Sequence, residues 1–488
     1  MGIDQVGQPG RAKRLRVWAR ARIPELFVLT VGVLIRLSMA LWYDARIGFD
    51  YNAHWPHIQY IVAHHALPPL TFNTTAPHPP LYHTIAAAVV AMGLDAGALG
   101  WMSALWGMLR LVLIWIGLGR WLPESRLARV VALALAAVVP AAAHLDGMIT
   151  NETLVMLLAA GVLVVAPRAI AAARTGRVRP MVGLAVLLGL AMMAKVSASV
   201  LVTSVAIAIA LEIARAGKGW GKALRIRARP VIAGALVLAA IAGPFFVRNR
   251  VLYGQTAPSA YEGSLKPNQA PYEAMPYFDR RPLGFYVGWN FAIYAHPLYP
   301  TAIKPDARFF PVLVATTFND YYVYSFTGGG RYHSDRWVSA AGVTLGCLSI
   351  AGGTFIALVT VIAWFAAVRA LWRRREDGLP DPRFALLLAP LGALIGQLHF
   401  ATKYPNDNFG PIKGSYLQFI APVLCALFGA AVAWMWRRRA AVRWRVAALV
   451  SLGAVALVAA YSLNARLPPL DKTKYTTAPF FAAAGQGH

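Results

Sequence analysis

Apolar residues come in long blocks along this chain. Runs fall near residues 24–43, 81–98, 101–119, 128–143, 153–167, 180–194, 197–212, 230–247, 339–369, 384–401, 414–436 and 446–463. Most are about 15–25 residues long, and about 20 residues of helix cross the hydrocarbon core of a bilayer. The pattern predicts an all-α polytopic membrane protein. A soluble helical protein needs no such series of unbroken runs.

The polar residues between the blocks fix the sidedness. Lys and Arg gather at the N-terminus and in segments 120–129, 168–179, 215–229, 369–383 and 437–445, which together hold 29 of the 47 Lys and Arg. Such residues collect in cytoplasmic loops. If run 81–98 spans the membrane, the cluster at 120–129 and every later one falls outside. If that run lies in the interface, every cluster falls inside. The run favours the second arrangement, with His83 near one end, Asp95 and two glycines near the other, and mostly Ala between. About eleven transmembrane helices are therefore expected, N-terminus in and C-terminus out, with interfacial helices in the first outer loop.

The outer loops are then 44–100, 144–152, 248–338 and 402–413. The expected organisation is a basic cytoplasmic N-terminus (1–23), an N-terminal membrane module (24–247), a large periplasmic loop (248–338), C-terminal membrane helices (339–463) and an outer tail (464–488). The N-terminus has the basic-then-apolar order of a signal peptide. Its run is long and no small-residue cleavage site follows, so it reads as a retained first helix.

Composition agrees. The 488 residues are 58% hydrophobic and only 14% charged, with mean hydropathy +0.53; soluble domains are about 25% charged. The net charge of +27 suggests nucleic acid at first sight. Its distribution over short loops assigns it to topology instead, so no nucleic-acid partner is expected. Cys347 and Cys425 lie in apolar runs and imply neither a disulfide framework nor a zinc site.

Chemistry is confined to the outer face. There is no P-loop, no GxGxxG after a strand, no HExxH, no paired CxxC and no DxD. The densest polar stretch, 44–83, holds Asp50 and histidines 54, 57, 64, 65, 78 and 83. Asp50 and His54 are four apart, so a short helix sets them side by side. Asp146, Asn151 and Glu152 follow at the second outer turn, then Lys195, then Arg248, Asn249 and Arg250, then Lys403, Asp407, Lys413 and Tyr416. These residues share one membrane face, as a single site between helices would.

Each has a plainer reading. Asp50 caps a helix, Glu152 sits favourably at a helix N-terminus, Lys195 snorkels, and Asp146 and Arg250 are solvated loop residues. His54, His57 and His78 invite a metal reading. Their spacing is not clean, and interfacial histidines usually form ordinary hydrogen bonds, so no metal or other cofactor is expected.

The order of motifs carries a resemblance. A first helix is followed by an acidic residue among aromatics and His, then a Leu-Pro turn, then HPPLYH. Later come GMITNETL, AMMAKVSA, FFVRNRVLYGQTAP and KGSYLQFIAP. This series resembles the polyprenyl-phosphate-sugar-dependent glycosyltransferases of the GT-C class, such as protein O-mannosyltransferases and lipid A aminoarabinose transferases. It covers about residues 24–260 well and 384–463 loosely.

The resemblance implies a GT-C-like fold and transfer of a sugar from a polyprenyl phosphate to an acceptor hydroxyl, with inversion. It implies Asp50 as general base and Lys195 and Arg248 on the lipid phosphate. His54, His78 and Glu152 would shape the sugar and acceptor pockets, with Arg250, Lys413 and Tyr416 as further binding residues. Many members have Asp-Glu where this chain has Asp50-Tyr51, so a second carboxylate is missing. The implied partners are the lipid-linked donor, membrane lipids and a glycolipid, polysaccharide or protein acceptor. The implied setting is the periplasmic face of a cell inner membrane. The alternative is a transporter or flippase of a lipid-linked sugar, which is expected to show charges deep in several helices and repeated halves. Neither is visible here.

Overall fold

The computed structural model describes residues 11–48, 50–215, 222–258, 275–295, 297, 308–321, 340–374, 379, 381–405, 412–438 and 441–464. Asp407, among the expected site residues, lies outside them. The described residues form helices joined by turns, with no strand among them. The helices are α1 Arg11–Trp42, α2 Tyr51–His64, α3 Leu81–Ala91, α4 Ala96–Trp121 and α5 Arg126–Val138. Next come α6 Pro140–Leu145, α7 Glu152–Thr175, α8 Val178–Ala194, α9 Ser199–Arg215 and α10 Lys222–Tyr253. After short helices within 277–295 follow α11 Phe309–Phe318, α12 Ala340–Arg373, α13 Leu388–Lys403, α14 Ala421–Arg437 and α15 Val442–Asn464.

Nine helices among the described residues are long and apolar enough to cross a membrane. The other two of the eleven expected spans fall short of that length. One is α8, with 17 residues. The other is run 128–143, which breaks between α5 and α6. Pro140 opens α6, and a proline has no N–H to continue the preceding helix.

Run 81–98 does not form one helix. The 11-residue α3 is about 16 Å long at 1.5 Å per residue, half the apolar thickness of a bilayer. It ends where Gly93 adopts a positive φ of 85°, a conformation glycine enters without steric cost. Asp95 then starts α4, accepting a hydrogen bond from the Ala98 amide.

Two apolar cores fill the bundle. One gathers α1, α4, α5, α6, α11, α12, α14 and α15. The other gathers α2, α3, α7, α8, α9 and α13 against the opposite flank of α4. The most extensive pairings are α8–α10, α5–α14, α12–α15, α7–α8 and α4–α7.

Buried charge pins the first core. Asp146 lies in the turn after α6 and is fully buried rather than solvated. Its Oδ2 accepts hydrogen bonds from Arg36 Nε of α1 (2.9 Å) and from an Arg110 guanidinium nitrogen of α4 (2.7 Å). The carboxylate reaches α4 because residue 107 is glycine; a Cβ there would stand 2.4 Å from Asp146 Cγ. At the opposite end of α1, buried Glu25 accepts from Arg22 (2.6 Å), Arg129 (2.9 Å) and Trp115 (3.1 Å). Asp146 Oδ1 has no partner among the described residues, so the two guanidiniums on Oδ2 carry the compensation for burying the Asp146 charge.

Candidate functional site

The site begins where α1 ends. After a single 3-10 turn, Asp50 takes φ 60° and ψ 16°, the left-handed region. That conformation costs a non-glycine residue on the order of 1 kcal/mol, and such residues cluster at functional sites. The backbone of Asp50 starts α2, its carbonyl accepting from the amides of Ala53 and His54, both 2.9 Å. Its carboxylate makes no capping bond. It accepts instead from Lys413 Nζ at 3.3 Å. The Asp50 side chain is 50% exposed and that of Lys413 only 12%, so the carboxylate stands at a mouth with the ammonium beneath it. The pair is screened and contributes at most about 1 kcal/mol to stability; its interest is chemical. The surrounding protein pushes the Asp50 carboxyl up, but the charge of Lys413 outweighs this and holds it below its ordinary value.

A second acid–base pair stands beside the first. The Asn151 side-chain amide donates to the Ala194 carbonyl (3.1 Å), tying the end of α8 to the start of α7. This sets Lys195 against Glu152, which it contacts directly. Tyr416 separates the two pairs, with Lys195 Nζ 4.5 Å and Lys413 Nζ 5.6 Å from its ring centroid. The turn bearing Lys413 and Tyr416 is fixed by its backbone. Gln397 donates to the Lys413 carbonyl (2.8 Å) and the Gly414 amide donates to Thr316 Oγ1 (2.9 Å). A Cβ at 414 would come within 2.6 Å of the Thr317 backbone, so only glycine lets this turn approach α11. The result is a row Asp50, Lys413, Tyr416, Lys195, Glu152, assembled from three distant parts of the chain: α2, the α7–α8 pair and the turn before α14.

Behind Asp50 lies a histidine layer. His54 Nδ1 and His83 Nε2 share a hydrogen bond of 2.9 Å. His57 stacks on His83 with centroids 3.8 Å apart and planes 7° apart. His57 Nδ1 lies 3.2 Å from the Thr75 hydroxyl. His78 is half-buried, its ring 6.0 Å from that of His54. Tyr82 packs edge-on against His54 and Trp106. Burial is the main reason these imidazoles resist protonation. His54 is lowered to about 3 and His57 to about 4, and His78 and His83 also lie well below the ordinary value. They are neutral at pH 7. Among the described residues, no three His, Cys, Asp or Glu side chains converge as metal ligands.

Arg248 and Arg250 sit differently from expectation. They belong to the last turns of α10, which continues to Tyr253 and stops only at Gly254, φ 69°. Arg248 donates to Asn249 Oδ1 (3.3 Å) and lies 5.7 Å from the Tyr253 ring, while Arg250 is exposed and bonds the Gly254 carbonyl. Neither touches the row. Height is another matter. Helices α8 and α10 run in parallel, Gly234 lying against Met181 and Gly189 against Ile241. That offset of 52–53 residues puts Arg248 level with Lys195.

Sequence reasoning singled out every member of the row. It named His83 without giving it a role, passed over Thr75 and Tyr82, and read His57 only as a possible ligand. Two signals were available: the one-turn spacing of His54 and His57, and the closing His of HPPLYH.

No protein-family model and no curated protein matches this chain. Among solved structures, the oligosaccharyltransferase of Archaeoglobus fulgidus, crystallised with a tethered acceptor peptide, is similar over 93% of this chain with a TM-score of 0.51 and 16% identity. The chain spans 57% of the length of that enzyme. ArnT from Cupriavidus metallidurans, solved with undecaprenyl phosphate and in the apo state, is similar over 90% and 83% of this chain. It covers 77% and 76% of the ArnT chain, with TM-scores of 0.36 and identities of 14% and 15%. At such identities likeness is a statement about fold. The chain shares the fold of the archaeal enzyme, in keeping with the GT-C-like fold that the order of motifs implied.

Proposed function

We propose that this protein is an integral-membrane glycosyltransferase that moves a sugar from a polyprenyl phosphate to an acceptor hydroxyl at the outer face of the membrane. The observation that carries the proposal is the row of two acids and two lysines around Tyr416 on a GT-C fold. Asp50 is held ionised by Lys413 and open to solvent, as a base for a hydroxyl must be. Lys195 and Lys413 flank one ring, and together they suit a phosphate dianion. Arg248, at the same height, supplies further positive potential, and Arg250 extends it towards solvent.

In the proposed step the hydroxyl oxygen bonds to the anomeric carbon and its proton passes to Asp50. The bond from that carbon to the phosphate oxygen breaks, and its electron pair leaves with the phosphate, where the lysines stabilise the charge. One displacement inverts the anomeric centre. Glu152 positions Lys195 when the site is empty. His54 and His78 line the pocket for sugar and acceptor.

The test uses membranes containing wild type or Asp50→Asn, supplied with a panel of polyprenyl-phosphate sugars. The variant should insert normally and transfer about 10²–10⁴-fold more slowly, the usual contribution of a general base. Undiminished transfer would remove Asp50 from that role. Movement of the lipid-linked sugar across liposomes without any transfer product would favour the transporter reading.

A further inference from the structure

We propose that segment 275–295 is a lipid-seated foot. It rests on the bilayer at the end of α13 and sets the side chains of Phe278, Leu283, Val287 and Phe291 among the outermost acyl chains. The partner is the bilayer itself, so the inference stands apart from sugar transfer.

The outward side chains are the wrong kind for water. Phe278, Leu283, Val287 and Phe291 are 83%, 74%, 72% and 75% exposed. A single exposed apolar side chain is ordinary, but a cluster marks a surface that something else covers. The polar groups of the same segment turn towards protein. The Tyr277 hydroxyl shares a hydrogen bond with His399 Nδ1 (2.9 Å), and an Arg280 guanidinium nitrogen donates to the Lys403 carbonyl (3.0 Å). The hydroxyl of Tyr286 pairs with that of Thr402 (2.8 Å) and the hydroxyl of Tyr294 with that of Thr354 (2.9 Å). The Trp289 indole donates to the Tyr294 hydroxyl (3.2 Å). Buried Phe285 and Ile293 join the segment to the first core. Polar groups satisfied inward and large apolar groups outward reverse the pattern of a water-facing loop. A lipid surrounding demands that arrangement.

The anchors give the depth. His399, Thr402 and Lys403 close the apolar span Arg383–Lys403, and Thr354 lies inside the span Val343–Arg373. The segment is thus tied to two helices that cross the bilayer, and on α13 to the last turn of the span. Leu391, Ile395 and His399 are each four apart, so they form one stripe along α13, and all three are exposed. The Tyr277 ring stacks on His399, with centroids 5.6 Å apart and planes 23° apart. The segment therefore continues the lipid-facing stripe of α13 beyond the helix end. Its backbone has no helix at 288–290, and such backbone does not enter hydrocarbon. Only the side chains go in, about 5–10 Å, as the apolar faces of interfacial helices do. Tyr277, Tyr286, Trp289 and Tyr294 are residue types of that boundary, and exposed Asp279 stays with the headgroups.

The consequence for the proposed site is positional. Gln397 of α13 holds the Lys413 carbonyl. A foot on the end of α13 keeps the mouth formed by Asp50 and Lys413 at the height of the lipid headgroups.

Nitroxide labels on single cysteines test this in the full chain, with Cys347 and Cys425 replaced by alanine, in nanodiscs of phosphatidylcholine and phosphatidylglycerol. Power-saturation EPR compares collisions with oxygen, which concentrates in lipid, and with a nickel chelate, which stays in water. Phe278→Cys and Phe291→Cys should give an oxygen-to-nickel ratio several-fold above that of Glu124→Cys, an exposed turn position, and approaching that of Ile395→Cys. A ratio equal to that of Glu124→Cys would overturn the inference. So would exclusion of both reagents, which would mean that protein covers these residues. The measurement needs no turnover, so the foot and the glycosyltransferase reading can each fail without the other.

Discussion

At the scale of single residues, the cost of order is concentrated at Asp50. Its backbone is left-handed, its carboxylate caps nothing, and its partner arrives from 363 positions away. A carboxyl held below its ordinary value is ionised at neutral pH and loses its charge only as pH falls through that lowered value. Transfer should therefore persist well into the acid range. Lys413→Met removes the charge that does most to lower it. The acid limb of the pH–rate profile should then move to higher pH, alongside any loss in donor affinity. An unmoved limb would mean that the profile does not report Asp50. Residue types told much of this in advance, because an acid among aromatics and lone lysines at helix ends are conspicuous in so apolar a chain. What the sequence could not tell was pairing. Nothing local to Lys413 says that it meets Asp50 rather than solvent, and nothing local to Asp146 says that two arginines from other helices close on it.

At the scale of elements, the turn between α6 and α7 is the fastening of the bundle. Asp146 joins it to α1 and α4 through Arg36 and Arg110, while Asn151 joins it to α8. Replacing Asp146 by Asn leaves two buried guanidiniums facing a neutral amide, and breaking a buried pair in this way costs about 3–5 kcal/mol. Asp146→Asn should lower the thermal midpoint of the detergent-purified protein and its folded yield. An unchanged midpoint would show that Arg36 is satisfied by the carbonyls of Gly32 and Ala137, and Arg110 by Met156 Sδ, which they also bond. Helix positions were legible from apolar runs, since hydropathy is additive along the chain. Their ends were not. Helix α10 carries Arg248 and Arg250 because nothing in Val251–Tyr253 stops it, whereas Pro140 divides a run that looks continuous by hydropathy.

At the scale of the whole molecule, the charge pattern predicts basic ends inside and the Asp50 row outside. Single cysteines in a background lacking Cys347 and Cys425 test this. His64→Cys, on α2, should react with a membrane-impermeant maleimide in intact spheroplasts. Glu124→Cys, between α4 and α5, should react only after permeabilisation. The reverse pattern would invert the topology. The two cores have a mechanical consequence for the row. Ile412 belongs to one core, Phe419 and Ile420 to the other, and Leu417 touches both. Lys413 and Tyr416 therefore ride on a strap laid across the junction, while Asp50, Glu152 and Lys195 belong to one bank. Any slip of one bank along the other, such as a long lipid chain wedged at their boundary would cause, changes the reach from base to ammonium before it disturbs any single helix.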